Sequence, residues 1–466
     1  MARGRGKKAR SLGTLAAAVA TSRPLLKALD HGEPIAVEGR DVGASGDRWV
    51  EPFLIANQAG LRRLELRPEV RADPTLRVLL RPGSRIGAIP LLSPATRRVS
   101  AGLLIEPRFR WAALGAVFDA IGFSVEPVLG GAALVPGSAR EVPPWMLAAP
   151  VIERIASLLR HRRRGFVERS EKRTSPRGRV DWTGWACSHI PRGAWTTFPC
   201  HFTEPDDDPD LLASIRWTLS RLEEELSTVA WSLPARHLLR RAAEMMSALG
   251  PGIARRPSAS PMLGGGSEFV AAALEAMGWV SEERGLGGAR SLDGLAWDLS
   301  IDAVWEAWVA SFSSLLARSL GMVASPFQGA RRSLRWEGSA QSMGALVPDV
   351  ELRAADRVVW LDAKYKAHLA LLARRGWSGL SEELRAEHRA DLHQALAYAA
   401  LADAPQVDSV LVYPQLGQDD RSPATVATVT SGRRRVRLIL AAVPFGYRGP
   451  EHQERSLKSF RELLAA

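Results

Sequence analysis

The spacing of apolar residues changes character along the chain. Between residue 33 and about 135 they come in short runs bounded by glycine and proline, such as Leu64-Glu-Leu-Arg67, Leu76-Arg-Val-Leu-Leu80 and Gly102-Leu-Leu-Ile-Glu-Pro107. Such runs read as strands and turns, with one short helix expected over 112–121. From Pro144 the period is helical: Trp145, Leu147, Val151, Ile152, Ile155, Leu158 and Leu159 share one side of a helix. Further helices are expected over 211–226, started by the proline and aspartates of Glu204-Pro-Asp-Asp-Asp-Pro-Asp210, and over 238–249. Gly264-Gly-Gly266 and Gly285-Leu-Gly-Gly288 bracket loops and a short helix. The segment 301–320 then gathers Val304, Trp305, Trp308, Phe312, Leu315 and Leu316 on a wide apolar side. Two short strands, a helix over 381–403 and a strand over 407–413 follow.

No repeat of 20–50 residues is visible. The pattern adds up to an α+β protein with four parts: an arm over 1–30, a mostly β N-terminal domain over 31–140, a helical middle region over 141–298, and a C-terminal α/β domain over 299–466 with a mixed sheet flanked by helices. A length of 466 residues fits several domains.

Charge adds a direction. Lys and Arg number 62 against 50 Asp and Glu, a net charge of +12. That balance favours polyanionic partners, nucleic acid first and an anionic membrane surface second. The arm, Met1-Ala-Arg-Gly-Arg-Gly-Lys-Lys-Ala-Arg10, followed by a mildly apolar run, vaguely imitates a secretory signal; the alanine-rich run and the early Arg23 and Lys27 favour a phosphate-touching arm or a solvated tail. Arg162–Arg164, Lys172 with Arg173, and Arg433–Arg435 are further phosphate-contact candidates or solvated faces. No apolar run reaches 18 residues. Two cysteines, Cys187 and Cys200, cannot build a disulfide framework and are expected as reduced thiols of a cytoplasmic protein.

The chemistry concentrates in Val347-Pro-Asp349-Val-Glu-Leu352 and Val358-Val-Trp-Leu-Asp362-Ala-Lys364-Tyr365. A two-residue loop at Ala355-Asp356 makes paired positions of an antiparallel hairpin sum to 711, so Asp349 lies opposite Asp362. Alternation puts Trp360, Asp362 and Lys364 on the face of Asp349, with Val359, Leu361 and Ala363 pointing into the core. Two carboxylates held this close need positive charge. Lys364 supplies one, and a divalent cation would supply more. Carboxylates suit Mg²⁺, with Mn²⁺ as substitute. The metal would polarise a phosphoryl oxygen and activate water, while Lys364 orients that water or stabilises developing charge. The bland alternative is a charged hairpin with an ion pair.

Two flanking features add to this set. Glu306 sits inside the aromatic side of 301–320, where a carboxylate is costly unless paired or bound to metal; otherwise it is an exposed rim residue. Gln394 and Tyr398 stand four residues apart on one helix face.

Pro-Asp followed by Asp-X-Lys resembles the active site of the PD-(D/E)XK nuclease superfamily. That resemblance implies a nuclease core over 299–466, with Asp349, Asp362, Lys364, Gln394 and Tyr398 catalytic and Glu306, Asp349 and Asp362 as metal ligands. Gln394-X-X-X-Tyr398 resembles the fourth motif of RecB-like nucleases, which holds substrate and active site. Upstream, Val99-Ser-Ala-Gly-Leu-Leu-Ile-Glu-Pro-Arg108, Arg164-Gly-Phe166, Pro176-Arg-Gly-Arg-Val-Asp181 and Val304-Trp-Glu-Ala-Trp308 are similar, in order and spacing, to motifs of McrC proteins over most of 95–415. The related DUF2357 nucleases share several of them. Glu106 and Ser214-Ile-Arg216 depart from that pattern.

The McrC resemblance implies a Mg²⁺-dependent DNA endonuclease of a restriction or antiviral defence system. It also implies a separate AAA+ GTPase or ATPase of the McrB kind, hexameric, since the chain has no P-loop sequence. The N-terminal domain would then contact partner or DNA. Two other readings stand beside it: a catalytically silent DNA-binding adaptor that stimulates the motor, and a stand-alone RecB-like nuclease. Two cysteines cannot supply the four ligands of an iron–sulfur cluster, which disfavours the cluster-bearing branch of the latter.

Overall fold

The computed structural model describes residues 23–465, apart from 74, 162–164, 207, 258–267, 284–285, 287–292, 327–331, 334–344, 367, 416–423 and 432–433. Most of the basic arm, the 162–164 arginines, the 264–266 glycines and Arg433 therefore lie outside the described residues. Helices and several sheets alternate in a mixed α and β architecture.

The N-terminal part is built on a five-stranded sheet in the order Leu25–Leu29, Val99–Glu106, Arg85–Leu92, Gly294–Ser300, Val128–Val135. The first pair is parallel and the others shown by their registers are antiparallel. The fourth strand comes from far along the chain and is buried at every position but the last. Its Asp298 is held by Arg63 and by Arg85, whose Nη1 lies 2.8 Å away. Ser300 ends that strand and caps the next helix by accepting from the Ala303 N–H at 3.3 Å. The N-terminal sheet thus sets the origin of the Ile301–Leu320 helix.

Several elements depart from the sequence expectation, among them the Leu25–Leu29 strand inside the expected flexible arm and the Gly294–Ser300 strand inside the expected helical region. A helix spans Val50–Arg63, where strands and turns were expected. Its buried stripe, Phe53, Asn57 and Leu61, passes through an asparagine, so it reads as broken. Asn57 satisfies itself by bracketing Leu92, donating to its carbonyl at 3.0 Å and accepting from its N–H at 2.8 Å. The middle region also contains a small antiparallel sheet, Gly165–Arg173, Phe198–Asp206 and Arg179–Val180. Its central strand carries Pro199 and Pro205, which argue against a central strand. Both fall outside the Cys200–His201 stretch where the third strand pairs. Helices Pro144–His161, Pro209–Ser227 and Leu233–Leu249 fall close to the periodic segments.

The C-terminal part is a six-stranded sheet in the order Val323–Pro326, Val350–Arg353, Arg357–Ala363, Gln406–Gln415, Arg434–Pro444, Ala424–Ser431. The three strands from Arg357 to Pro444 in that order are mutually parallel, and the outer pairs are antiparallel. Parallel neighbours need a crossover, which the Glu382–Ala400 helix supplies between the first two. Val359 and Leu361 join the core of Trp305 and Trp308 from the long helix. Val358 and Trp360 pack on the other face with Tyr398 of the crossover helix. The central strand is therefore buried on both faces, as parallel strands are. The Trp360 and Asp362 side is covered by a helix, not open to water.

Both cysteines are free thiols, Cys187 exposed and Cys200 buried. Among the described residues no helix is long and apolar enough to cross a membrane.

Candidate active site

The hairpin pairs Val350 with Leu361, Glu351 with Trp360, Leu352 with Val359 and Arg353 with Val358. Each pair carries the constant sum the sequence implies. Asp349 sits just before the first strand, and its Oδ2 accepts from the Ala363 N–H at 2.6 Å. Asp362 is the next-to-last residue of the Arg357–Ala363 strand, 4% exposed. Its Oδ2 lies 2.6 Å from Lys364 Nζ.

The neighbouring elements complete the cluster. Lys364 Nζ donates to Gln394 Oε1 at 2.9 Å, and Gln394 Nε2 donates to the Tyr398 hydroxyl at 2.6 Å. That hydroxyl donates to the Val347 carbonyl at 3.1 Å and reaches Asp362 Oδ1 at 3.5 Å. Asp362, Lys364, Gln394 and Tyr398 are thus linked through one polar network where the central strand ends, and Asp349 joins it through the backbone N–H of Ala363, the neighbour of Asp362. The long helix braces its floor. Trp305 Nε1 donates to the Val412 carbonyl at 3.2 Å, the same oxygen that accepts from Lys364 N–H at 2.8 Å. Trp308 Nε1 donates to the Pro444 carbonyl at 2.9 Å. The two tryptophans pin the carboxyl ends of two adjacent parallel strands.

Glu306, between them, has an exposed side chain on the helix rim and makes no hydrogen bond within the network. It still feels the site. Partial burial raises its carboxyl above the usual range, and the charges of Asp302 and Asp362 add to the rise.

The electrostatics show negative charge in excess. Burial pushes Asp349 up to about 7, with the Asp362 charge adding to it. Burial also raises Asp362, against the pull of Lys364. Burial works against the charge of Lys364, but Asp362, Asp391 and Asp349 outweigh it and the ammonium is held more tightly than usual. One buried and one half-buried aspartate beside one lysine form a hard-oxygen donor set. Among the described residues no group of three or more His, Cys, Asp or Glu side chains is gathered closely enough to hold a metal. Two carboxylates are a donor number that an ion keeping several of its own waters, as Mg²⁺ does, would suit.

Two neighbouring contacts escaped the sequence reading. Lys366 Nζ bonds both oxygens of Asp391 at 3.1 Å. Asp391 is three residues before Gln394 and so shares its helix face, which was a usable signal. Tyr365, the residue after Lys364, donates to Asp30 Oδ2 of the N-terminal part at 2.7 Å. The Arg108 guanidinium lies over the Tyr365 ring at 4.3 Å and its Nε is 3.5 Å from the same carboxylate. This buried contact joins residues 335 apart in sequence and has no local signature.

Fold and site together define a mixed sheet, helices on both faces, with two aspartates and a lysine at one strand end. No family model matches the sequence, and no curated protein matches it. Among solved structures the chain is similar to a chain of the Thermococcus gammatolerans assembly of McrB AAA+ hexamers with bound McrC. The identity is 15%, over 94% of this chain and 100% of that one, with a TM-score of 0.43. It is also similar to a chain of the Thermococcus gammatolerans McrBC complex, with 14% identity over 64% of this chain and 88% of that one and a TM-score of 0.26.

Proposed function

We propose that this chain is a Mg²⁺-dependent DNA endonuclease subunit of a restriction or antiviral defence system, with a PD-(D/E)XK core. In this reading it hydrolyses phosphodiester bonds when coupled to a separate AAA+ NTPase of the McrB kind. The observation that carries the chemistry is the network of Asp349, Asp362, Lys364, Gln394 and Tyr398 at one strand end. The order of McrC-like motifs over 95–415 carries the partner.

Asp349 and Asp362 would hold the metal. When bound, Mg²⁺ supplies Lewis-acid polarisation of a phosphoryl oxygen and lowers the pKa of a bound water. Glu306, the third carboxylate of the expected metal set, stays on the rim and reaches Asp362 only through its charge. Lys364 keeps its positive charge beside the reacting phosphate, where it orients the attacking water and stabilises the charge that develops on the phosphorus oxygens. Gln394 holds the ammonium in place, and Tyr398 fixes Gln394 and the Asp362 side of the site. The +12 excess of the chain attracts the polyanion and makes binding salt-dependent.

The test is plasmid cleavage with Mg²⁺ and a purified McrB-like AAA+ motor, comparing wild type with Asp362→Ala and Lys364→Ala. Cleavage by wild type alone supports the reading; equal cleavage by all three sinks it. One observation favours a second reading, the silent adaptor: Lys364 Nζ is already engaged by Asp362 and Gln394. An adaptor would stimulate the motor's nucleotide hydrolysis yet never nick DNA with Mg²⁺ or Mn²⁺.

A further inference from the structure

A cleft of about 570 Å³ opens between the start of the Arg110–Ile121 helix and the turn from the Arg434–Pro444 strand into the C-terminal helix. Arg108, Arg110, Arg448 and His452 line it together with Gln415 and Phe445, and among the described residues no carboxylate lines it. Arg108 already has the Asp30 carboxylate at 3.5 Å, but Arg110 and Arg448 bring two further positive charges to the same hollow, and these repel one another unless an anion lies between them. Arg110 and Arg448 are exposed, and neither forms an ion pair with another described residue. Nη2 of Arg108 is buried without a hydrogen-bond acceptor. Arg110 also holds a left-handed backbone, φ 66°. Non-glycine residues seldom adopt it, and such strain gathers at binding sites.

The cleft adjoins the aspartate site. Gln415 ends the strand whose Val412 carbonyl holds the Lys364 N–H. Three residues of strand separate the two, ~10 Å. Phe445 stacks on Phe109 at 4.6 Å and lies 6.1 Å from the ring of Tyr365, the neighbour of Lys364. Cleft and aspartates therefore both lie at the carboxyl end of the parallel strands.

We propose that this cleft is a phosphate subsite that grips a backbone phosphate of the DNA strand a few nucleotides from the bond to be cut. The proposal rests on the nuclease reading and deepens it by naming the path of the substrate. Guanidinium forks match the paired oxygens of a phosphate, and the open, cationic mouth suits a strand passing through. A free nucleotide shares the phosphate chemistry, but the chain has no glycine-rich P-loop to cradle one.

The test is fluorescence anisotropy of a short labelled DNA duplex without metal, at a series of salt concentrations. It uses the full chain as wild type, Arg448→Gln and Arg110→Gln/Arg448→Gln. Each lost phosphate contact lowers the slope of log affinity against log salt by about 1. The single variant should therefore lose about one unit of slope and the double about two, with affinity at low salt down ~10-fold or more. Arg448 lies in an exposed turn, so Arg448→Gln carries the test if the double variant unfolds. Unchanged slopes overturn the subsite and leave the nuclease reading standing. Loss of plasmid cleavage by wild type with its motor overturns the nuclease reading while the slopes keep their change. In a second arm, GTP and ATP are titrated by calorimetry. Tight binding that the double variant abolishes, with DNA slopes unchanged, assigns the cleft to a free nucleotide and overturns the proposal.

Discussion

The two ends of the parallel strands bury carboxylates in opposite ways. Asp408, near the amino end of its strand, is fully buried. Arg357 Nε donates to it at 2.7 Å, and Arg437 donates through Nε at 2.6 Å and Nη2 at 3.0 Å. Arg437 Nη2 also donates to the Leu464 carbonyl at 2.7 Å, fastening the C-terminal helix. Four residues along the same strand, ~13 Å away, the Val412 carbonyl anchors Lys364 beside Asp362 and Asp349. One end gives a single carboxylate two arginines, and the other makes two carboxylates share one lysine. The first arrangement is complete within the chain and holds the fold. The second leaves negative charge in excess, which is the signature of a site that expects a cation or substrate.

Substitutions can break that contrast. Asp408→Ala should have the largest effect on folding, a loss of about 3–5 kcal/mol, because it strands two arginines in the interior. Chemical denaturation measures it. A loss under ~1 kcal/mol would mean that the amino end is not a structural clamp. Tyr365→Phe removes a hydrogen bond to the buried Asp30 carboxylate and should cost about 2 kcal/mol. Because Tyr365 follows Lys364, it should also lower cleavage; unchanged unfolding and cleavage would show that the contact between the two parts is idle.

Glu126 offers a smaller test away from both ends. Burial, with Glu153 nearby, pushes its carboxyl up to about 7. The folded state therefore binds this proton more tightly than the unfolded chain. The stability it contributes is full below the ordinary carboxyl range and falls as pH rises toward 7. Glu126→Gln should flatten that fall and, after solvent screening, add ~1 kcal/mol at pH 8. Melting temperatures of both proteins across pH 4 to 8 decide it; parallel curves count against it. The smallest folding effect belongs to Asp362→Asn, within ~1 kcal/mol of wild type, since relief of repulsion from Asp349 offsets the lost pairing with Lys364. A large destabilisation there would erase the difference between the two ends.

What could be read without coordinates follows the same division. The hairpin register came from a loop and an index sum, because period-two alternation and a tight turn leave little freedom. The Ile301–Leu320 helix and the shared face of Gln394 and Tyr398 were legible from local spacing. The strand Gly294–Ser300 was not, because its partners are Arg85–Leu92 and Val128–Val135, far back in the chain. The Arg357, Arg437 and Asp408 clamp and the Asp30 to Tyr365 contact were hidden for the same reason. Glu306 shows the limit of pattern reading from the other side. Its aromatic neighbours in sequence point into the core, while its own side chain lies on the exposed rim.

The central claim is that the Asp349, Asp362 and Lys364 end cuts DNA and the Asp408 end does not. It is tested most directly by plasmid cleavage with Mg²⁺ and a purified McrB-like AAA+ motor, using Asp362→Asn protein whose folding has been matched to wild type. The account predicts that wild type linearises the plasmid and that the equally stable variant leaves it supercoiled at every salt concentration. Cleavage by Asp362→Asn at the wild-type rate would contradict it.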